Sequence, residues 1–100
     1  MNNKYGQKCN CIMNIEIMQL DDRETMIDSI EMGYEMDFNF IPTPDLDIYF
    51  ENGDILFSVE RVTYMVDNDE FFVKLKNQAY PSQEFLNIIH NMKKIGWIDL

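Results

Sequence analysis

The sequence predicts an α+β fold: a mostly antiparallel, curled sheet or small barrel of about five strands, followed by one C-terminal helix. Three observations support this prediction. Apolar and polar residues alternate over several stretches between Met13 and Lys76, as they do in strands with one buried face. Asn52 and Gly53 form the pair that is most typical of a β-hairpin turn. The stretch after Ser82 has helical spacing instead, so the predicted order of elements is β-β-β-β-β-α.

The first strand follows a polar, patternless segment, residues 1–11, which we expect to be frayed. Residues 12–100 then form one globular domain, because a chain of 100 residues is long enough for one core and too short for two. From Met13 the residues alternate, and a change of phase at Met18 indicates a bulge or the end of the strand. A turn is expected over 21–24.

Two interpretations compete for residues 25–41. Helical spacing connects Met26, Ile27, Ile30 and Tyr34. Six apolar residues, however, alternate strictly with polar or small ones: Ile30, Met32, Tyr34, Met36, Phe38 and Phe40. A run this regular favours a long strand at 29–41 with all six side chains on one buried face. A short helical turn at 23–28 stays open as an alternative.

Three further strands are predicted after two prolines that interrupt the sheet. A short strand at 46–51 leads into Asn52-Gly53, which predicts a two-residue type I′ turn because both residues tolerate positive φ. The next strand, 55–66, changes phase at Glu60-Arg61, which indicates a bulge. After a second loop, alternation resumes over 71–76 and predicts the fifth strand.

The C-terminal helix is predicted at 83–95, with Ser82 as its N-cap and Gly96 as its stop. The side chains expected to pack on the sheet, or to fold back onto the core after the helix, are Phe85, Ile89, Met92, Trp97 and Ile98.

Charge is the most uneven property of the chain. Eleven of the 18 acidic residues lie between Asp21 and Asp54 with Arg23 as the only base, so this segment carries the whole net charge of −10. Such a field repels nucleic acid and anionic membranes and attracts basic protein surfaces. No stretch approaches the ~20 apolar residues of a membrane span, and no secretory signal is visible, so we expect a cytoplasmic protein.

The acidic residues are also the strongest candidates for partner binding. Alternation puts them on the polar sides of two predicted strands: Glu31, Glu35, Asp37, Asp45, Asp47 and Glu51. If those strands pair, the two rows form one negative surface that can imitate nucleic acid and occupy a basic groove. The competing interpretation is an ordinary solvated face. Tyr49 and Phe72 lie opposite the apolar sets of their strands and are candidate anchors for a partner.

The sequence offers no catalytic, metal or cofactor motif. Cys9 and Cys11 are expected to be free thiols, and His90 a surface residue of the helix. The segment Asp67–Glu70 suits a hairpin loop and does not match an EF-hand.

We therefore predict a non-enzymatic, acidic protein-binding module whose partner is a protein. In size and charge the chain is similar to small acidic phage and mobile-element proteins that inhibit nucleic-acid-handling proteins, anti-CRISPR inhibitors included. This resemblance is one of profile and not of motif. The alternative is a structural or accessory module, in a phage particle or a homo-oligomer, with the acidic face as a solvent coat.

Overall fold

The computed structural model describes residues 8–100, and within them the chain forms seven strands and one helix. In chain order these are β1 (Cys9–Leu20), β2 (Met26–Phe38), β3 (Asp47–Phe50), β4 (Ile55–Met65), β5 (Glu70–Leu75), β6 (Gln78–Pro81), α1 (Ser82–Lys94) and β7 (Ile98–Asp99). The predicted α+β class and C-terminal helix are confirmed. The prediction of about five mostly antiparallel strands is close, since four of the six strand pairings are antiparallel and the short strands β6 and β7 add to the five.

The sheet is curled but open, with the strand order β3-β4-β5-β1-β2-β7. β1 lies at its centre and pairs with β2 along one edge. Its other edge is shared end to end by two parallel strands, with β5 beside residues 11–14 and β6 beside residues 17–20. The barrel that the sequence left as an alternative does not form, because β3 and β7 end the sheet within the described residues.

One side of the sheet, here called the inner face, carries the core and is covered by α1, which packs against β1 and β6. The strand register places inner-face side chains of neighbouring strands next to one another. Met13 of β1, for example, lies between Tyr34 of β2 and Val73 of β5. The buried core consists of Cys11, Met13, Ile15, Ile17, Met32, Phe38, Ile55, Phe57, Val59, Val73, Leu75, Phe85, Met92 and Trp97. The opposite side, here called the outer face, has no helix over it among the described residues.

β1 begins at Cys9, earlier than the sequence suggested, because its first residues pair with the end of β2. Cys9 lies opposite Phe38, and Cys11 opposite Met36. The segment expected to be frayed therefore contributes residues 9–11 to the sheet, and residues 1–7 lie outside the described part of the chain.

β2 is the long strand that alternation predicted, but it begins and ends three residues earlier than expected. The helical turn at 23–28 is wrong, since the strand starts at Met26. Five of the six predicted inner-face residues are buried or half-buried. Phe40 is the exception, with 53% of its surface exposed, because it follows the end of the strand where the chain bends away.

The β3–β4 hairpin forms at the predicted place, but its turn is different. Phe50 pairs with Ile55, which leaves a four-residue loop, 51–54, in place of a two-residue turn. The type I′ prediction is wrong, since neither Asn52 nor Gly53 has positive φ. Asp54 takes the left-handed conformation instead, with φ of 52°.

The β4–β5 hairpin repeats this arrangement fifteen residues later. Its loop ends on Asp69, which has φ of 53°. In each hairpin a tyrosine hydroxyl donates to the aspartate that ends the loop: Tyr49 to Asp54 at 2.5 Å and Tyr64 to Asp69 at 2.7 Å. Donating to a carboxylate raises the pKa of each tyrosine. A short polar side chain tolerates the left-handed region and, here, also fastens the loop to its strand. The bulge predicted in β4 is confirmed, with a register shift between Val59 and Arg61.

The helix starts one residue before its predicted start. Pro81 is the N-cap residue, and Ser82 is the first helical residue, so the prediction of Ser82 as N-cap is wrong. Its hydroxyl accepts a hydrogen bond from Gln19 instead, at 2.8 Å. No helix in the described part of the chain is long and apolar enough to cross a bilayer.

The helix ends just before Gly96, as the sequence predicted, and its C-terminal end forms a Schellman motif there. Gly96 has φ of 113°; its N–H donates to the carbonyl of Lys93, and the N–H of Trp97 donates to that of Met92. This reversal turns the indole of Trp97 into the core, against the rings of Tyr34, Phe50 and Phe57. Ile98 does not follow it, because β7 pairs with β2 and places this side chain on the outer face.

Candidate protein-binding surface

The candidate surface begins with three carboxylates on β2. Alternation turns Met32, Tyr34 and Met36 to the inner face, so the residues between them and on either side of them point outward. Glu31, Glu35 and Asp37, here called the β2 carboxylate row, are all exposed. The structure thus brings together half of the six predicted acidic residues.

Among residues 8–100, strand pairing and one amide hold the carboxylate row, and no cation lies within ion-pair distance of it. The Asn10 side chain donates to Glu35 at 3.1 Å and to Asp37 at 3.2 Å. Glu31 lies directly opposite Glu16 of β1, a like-charge pair that disfavours the isolated sheet. The ion pairs of the described residues lie elsewhere: Lys74–Glu60, Lys76–Asp45 and Lys93–Asp99. A row of carboxylates without a counter-charge is electrostatically suited to a basic partner.

An apolar groove of about 380 Å³ lies beside the row, where β7 leaves the edge of β2. Ile98 and Leu100 line it from β7 and the residue after it, and they are 62% and 68% exposed. Leu100 lies over Gly33, where an added Cβ would be 2.9 Å from the nearer methyl carbon of the leucine. Ile12 of β1, opposite Glu35, completes the apolar lining. Apolar side chains next to a charged row are the usual composition of a protein-binding surface.

Asn14 lies at the centre of the outer face with only 8% of its surface exposed. Register places it between Gly33 of β2 and Lys74 of β5. Its Oδ1 atom is buried and has no hydrogen-bond partner among the described residues. Leaving a buried acceptor unpaired costs about 1–3 kcal/mol, so this amide lowers the stability of the sheet at its centre.

The second predicted acidic row does not join the first. β2 and β3 are separated in the sheet by β4, β5 and β1, so the continuous negative surface expected from their pairing does not form. The sheet curls until the inner faces of β2 and β3 meet, with the rings of Tyr34 and Phe50 5.2 Å apart. Their outer faces, and with them the two sets of carboxylates, therefore point away from each other.

Of the three acidic residues of the β3 region, two already make contacts with neighbouring side chains and the third lies in a loop. Lys76 lies 2.8 Å from Asp45; its hydrogen bond lowers the pKa of Asp45, which in turn raises the pKa of Lys76. Asp47 accepts a hydrogen bond from the hydroxyl of Ser58 at 2.6 Å. Glu51 lies in the loop that ends β3. These residues form no row.

The two aromatic candidates occupy different parts of the outer face. Phe72 is half-buried and lies beside Ile12, across the β1–β5 pairing, so it extends the apolar surface next to the carboxylate row. Tyr49 is exposed on the β3–β4 hairpin opposite Leu56, and its hydroxyl is engaged by Asp54. Tyr49 is thus far from the row in strand order.

The residues considered for chemistry are engaged otherwise or isolated. Burial raises the pKa of Cys11 to about 11, with the neighbouring Cys9 and Asp37 adding to the effect, so this thiol is a poor nucleophile. Both cysteines are free, and His90 is exposed on α1. Among residues 8–100, no three His, Cys, Asp or Glu side chains converge as metal ligands.

Sequence reasoning did not single out the amide and apolar parts of this surface. Asn10 lies in the segment expected to be frayed, and Ile98 was assigned to the core. Ile12 and Leu100 become neighbours of the row only through the β1–β2 and β2–β7 pairings.

Comparison of the chain with protein-family models, with curated proteins and with solved structures finds no match.

Proposed function

We propose that this protein is a non-enzymatic binding module that attaches to a basic protein surface through the β2 carboxylate row. The observation that carries the proposal is the row itself: three exposed carboxylates on one face of one strand, with no cation within ion-pair distance among the described residues. Solubility alone does not require this arrangement, because soluble surfaces usually intersperse both signs of charge.

The neighbouring groups add contact area to the charge. Ile12, Ile98 and Leu100 supply apolar surface. A basic partner would approach along the field of the row and then bury these groups. The narrower proposal is that the partner's basic surface is a groove that otherwise holds nucleic acid. By occupying that groove the protein would inhibit a nucleic-acid-handling protein, as mobile-element inhibitors do.

The test is charge reversal of the row in a triple variant, Glu31→Lys, Glu35→Lys and Asp37→Lys. A matched control carries Asp22→Lys, Glu24→Lys and Asp67→Lys, three exposed loop residues outside the row. Each triple variant has a net charge of −4 in place of −10, because every substitution adds two charges. Both should fold, since exposed substitutions usually change stability by about 0.5 kcal/mol or less each.

Binding is measured by capturing proteins from host lysate on each immobilised variant at low and at high salt. We expect a partner that the wild type and the control retain and the row variant loses by about tenfold or more, with retention weakening as salt rises. Displacement of that partner by duplex DNA would support the narrower proposal. Equal capture by the two triple variants would show that the row is only a solvent coat.

A second candidate function is a homo-oligomeric structural module. The exposure of Ile98 and Leu100, together with the exposed Tyr49–Leu56 pair, favours it. Sedimentation at high salt separates the two candidates: an apolar interface between copies persists, whereas attachment through the row weakens.

A further inference from the structure

We propose that the partner attaches by adding an extended segment as a new strand to the open edge of β2, beside Glu35–Phe38, and that this segment alternates basic and apolar residues. The inference rests on the proposed function and names the form of the partner. β7 pairs with β2 only at Met32 and Gly33, and no described strand pairs with the rest of the edge that faces away from β1. An unpaired edge of this kind is a template for strand addition.

Backbone geometry shows which groups the added strand would meet. The N–H of Leu100 donates to the carbonyl of Glu31 at 3.0 Å, so the backbone of Glu31 points away from β1. Peptide groups alternate along a strand with period two, and Glu35 and Asp37 therefore present their N–H and C=O groups to the open edge as well. In the part of the chain that the structure describes, these groups have no backbone partner across the open edge, and two such residues are enough to anchor a short strand, such as the four-residue β3 and β6 of this sheet.

Side-chain geometry sets the sequence of the added strand. Directly opposite residues on neighbouring strands have Cβ atoms about 4.5–5.5 Å apart and share a face. On the outer face the added strand would meet Glu35 and Asp37, which favours Lys or Arg at those positions. On the inner face it would meet Met36, which is half-buried and favours an apolar residue.

The same sheet already holds two strands end to end along one edge, because β5 and β6 share an edge of β1. The added strand and β7 would share the edge of β2 in the same way. A second copy of this chain is the less suitable occupant, since pairing two β2 edges would place carboxylates of one copy against those of the other. The charge of the row therefore selects a basic partner.

The experiment compares two variants that lose the same carboxylate. Glu35→Pro removes the N–H that points to the open edge and leaves the β1–β2 ladder intact, because proline is tolerated where its missing N–H faces solvent. Glu35→Ala removes the carboxylate alone. The probe is a fluorescein-labelled peptide of eight residues with alternating Lys and Val, and its control has the same residues as a block of Lys and a block of Val. Anisotropy at low salt reports binding, and Trp97 fluorescence in denaturant verifies folding.

We expect the alternating peptide to bind the wild type and Glu35→Ala, and to bind Glu35→Pro about tenfold more weakly than Glu35→Ala, the loss that corresponds to about 1.4 kcal/mol. The block peptide should bind more weakly than the alternating one. If Glu35→Pro does not fold, the alternating peptide is instead N-methylated at every second residue. This removes the peptide's own N–H donors to β2 and should weaken binding to the wild type in the same way. Equal binding of Glu35→Pro and Glu35→Ala, equal binding of the two peptides, or binding of neither peptide would overturn strand addition. The row variant's loss of its lysate partner would leave the proposed function standing in those cases.

Discussion

Replacing Gly96 by alanine tests the turn that places Trp97, the groove and β7. Gly96 has φ of 113°, a conformation that L-residues rarely adopt, and holding a residue in such a region costs about 1–3 kcal/mol. The new Cβ would also lie 3.0 Å from Cε1 of Tyr34. That ring cannot move aside easily, because the rings of Phe50 and Trp97 pack against it, each with its centroid 5.2 Å from the centroid of the Tyr34 ring. We therefore expect a loss of about 2–3 kcal/mol, toward the upper end of the range for backbone strain alone.

Gly53→Ala is the matched control for Gly96→Ala. Gly53 does not have positive φ, and its added Cβ would meet only the ends of two flexible side chains, Ile55 and Ile95, at 3.1 Å each. We expect this substitution to cost less than about 1 kcal/mol. The Asn52-Gly53 motif alone would predict a larger loss for Gly53→Ala, because it assigns the left-handed conformation to Gly53.

The assay is urea unfolding followed by the fluorescence of Trp97, the only tryptophan in the chain, which is buried in the folded protein. Thermal unfolding should agree, with each 1 kcal/mol lowering Tm by roughly 4–8 °C for a domain of this size. If Gly96→Ala unfolds at the same urea concentration as the wild type, or if Gly53→Ala is the more destabilised of the two, the account of the helix end is wrong.

Two further predictions concern the core. Phe85→Ala should lower the free energy of unfolding by about 3–5 kcal/mol, whereas Leu86→Ala next to it, 59% exposed, should change it by less than about 1 kcal/mol; a loss under 1 kcal/mol for Phe85 in denaturant melts would mean that α1 is peripheral. Cys11, with its pKa raised to about 11, should resist alkylation by iodoacetamide at pH 8 until the protein unfolds, and rapid labelling of the folded Cys9→Ser variant would contradict its burial. Because the unfolded thiol loses its proton near pH 9 and the folded one near pH 11, stability should fall as pH rises through this window, and Cys9→Ser/Cys11→Ala should flatten that part of the stability curve.

Local patterns predicted the elements well where one side of a strand is buried. The alternation from Ile30 to Phe38 identified β2 and its inner face, and helical spacing identified α1 and the stop at Gly96. The turn at Asn52-Gly53 was missed because Phe50 pairs with Ile55, which lengthens the loop and gives the left-handed position to Asp54. A dipeptide preference cannot report the register of the strands on either side of it.

The sequence could not predict which distant segments pair, and these pairings determine which residues form the candidate surface. Nothing local indicates that β5 lies parallel to β1, or that β1, β4 and β5 separate β2 from β3. The two acidic segments are neighbours in sequence, yet on the outer face of the curled sheet they point away from each other. β6 and β7 are too short for a periodic pattern, and Pro81 at the end of β6 argues against a strand.

The central place of β1 has a consequence for synthesis on the ribosome. β1 and β2 can form their hairpin early, but the other edge of β1 has no partner until β5 and β6 emerge, and α1 emerges later still. During this interval the nascent hairpin exposes an unpaired edge and an uncovered apolar face, the conditions under which chains associate wrongly. Its own acidic residues then give every nascent copy the same sign of charge. The segment that we propose for recognition would thus also keep unfinished chains apart until the helix covers the core.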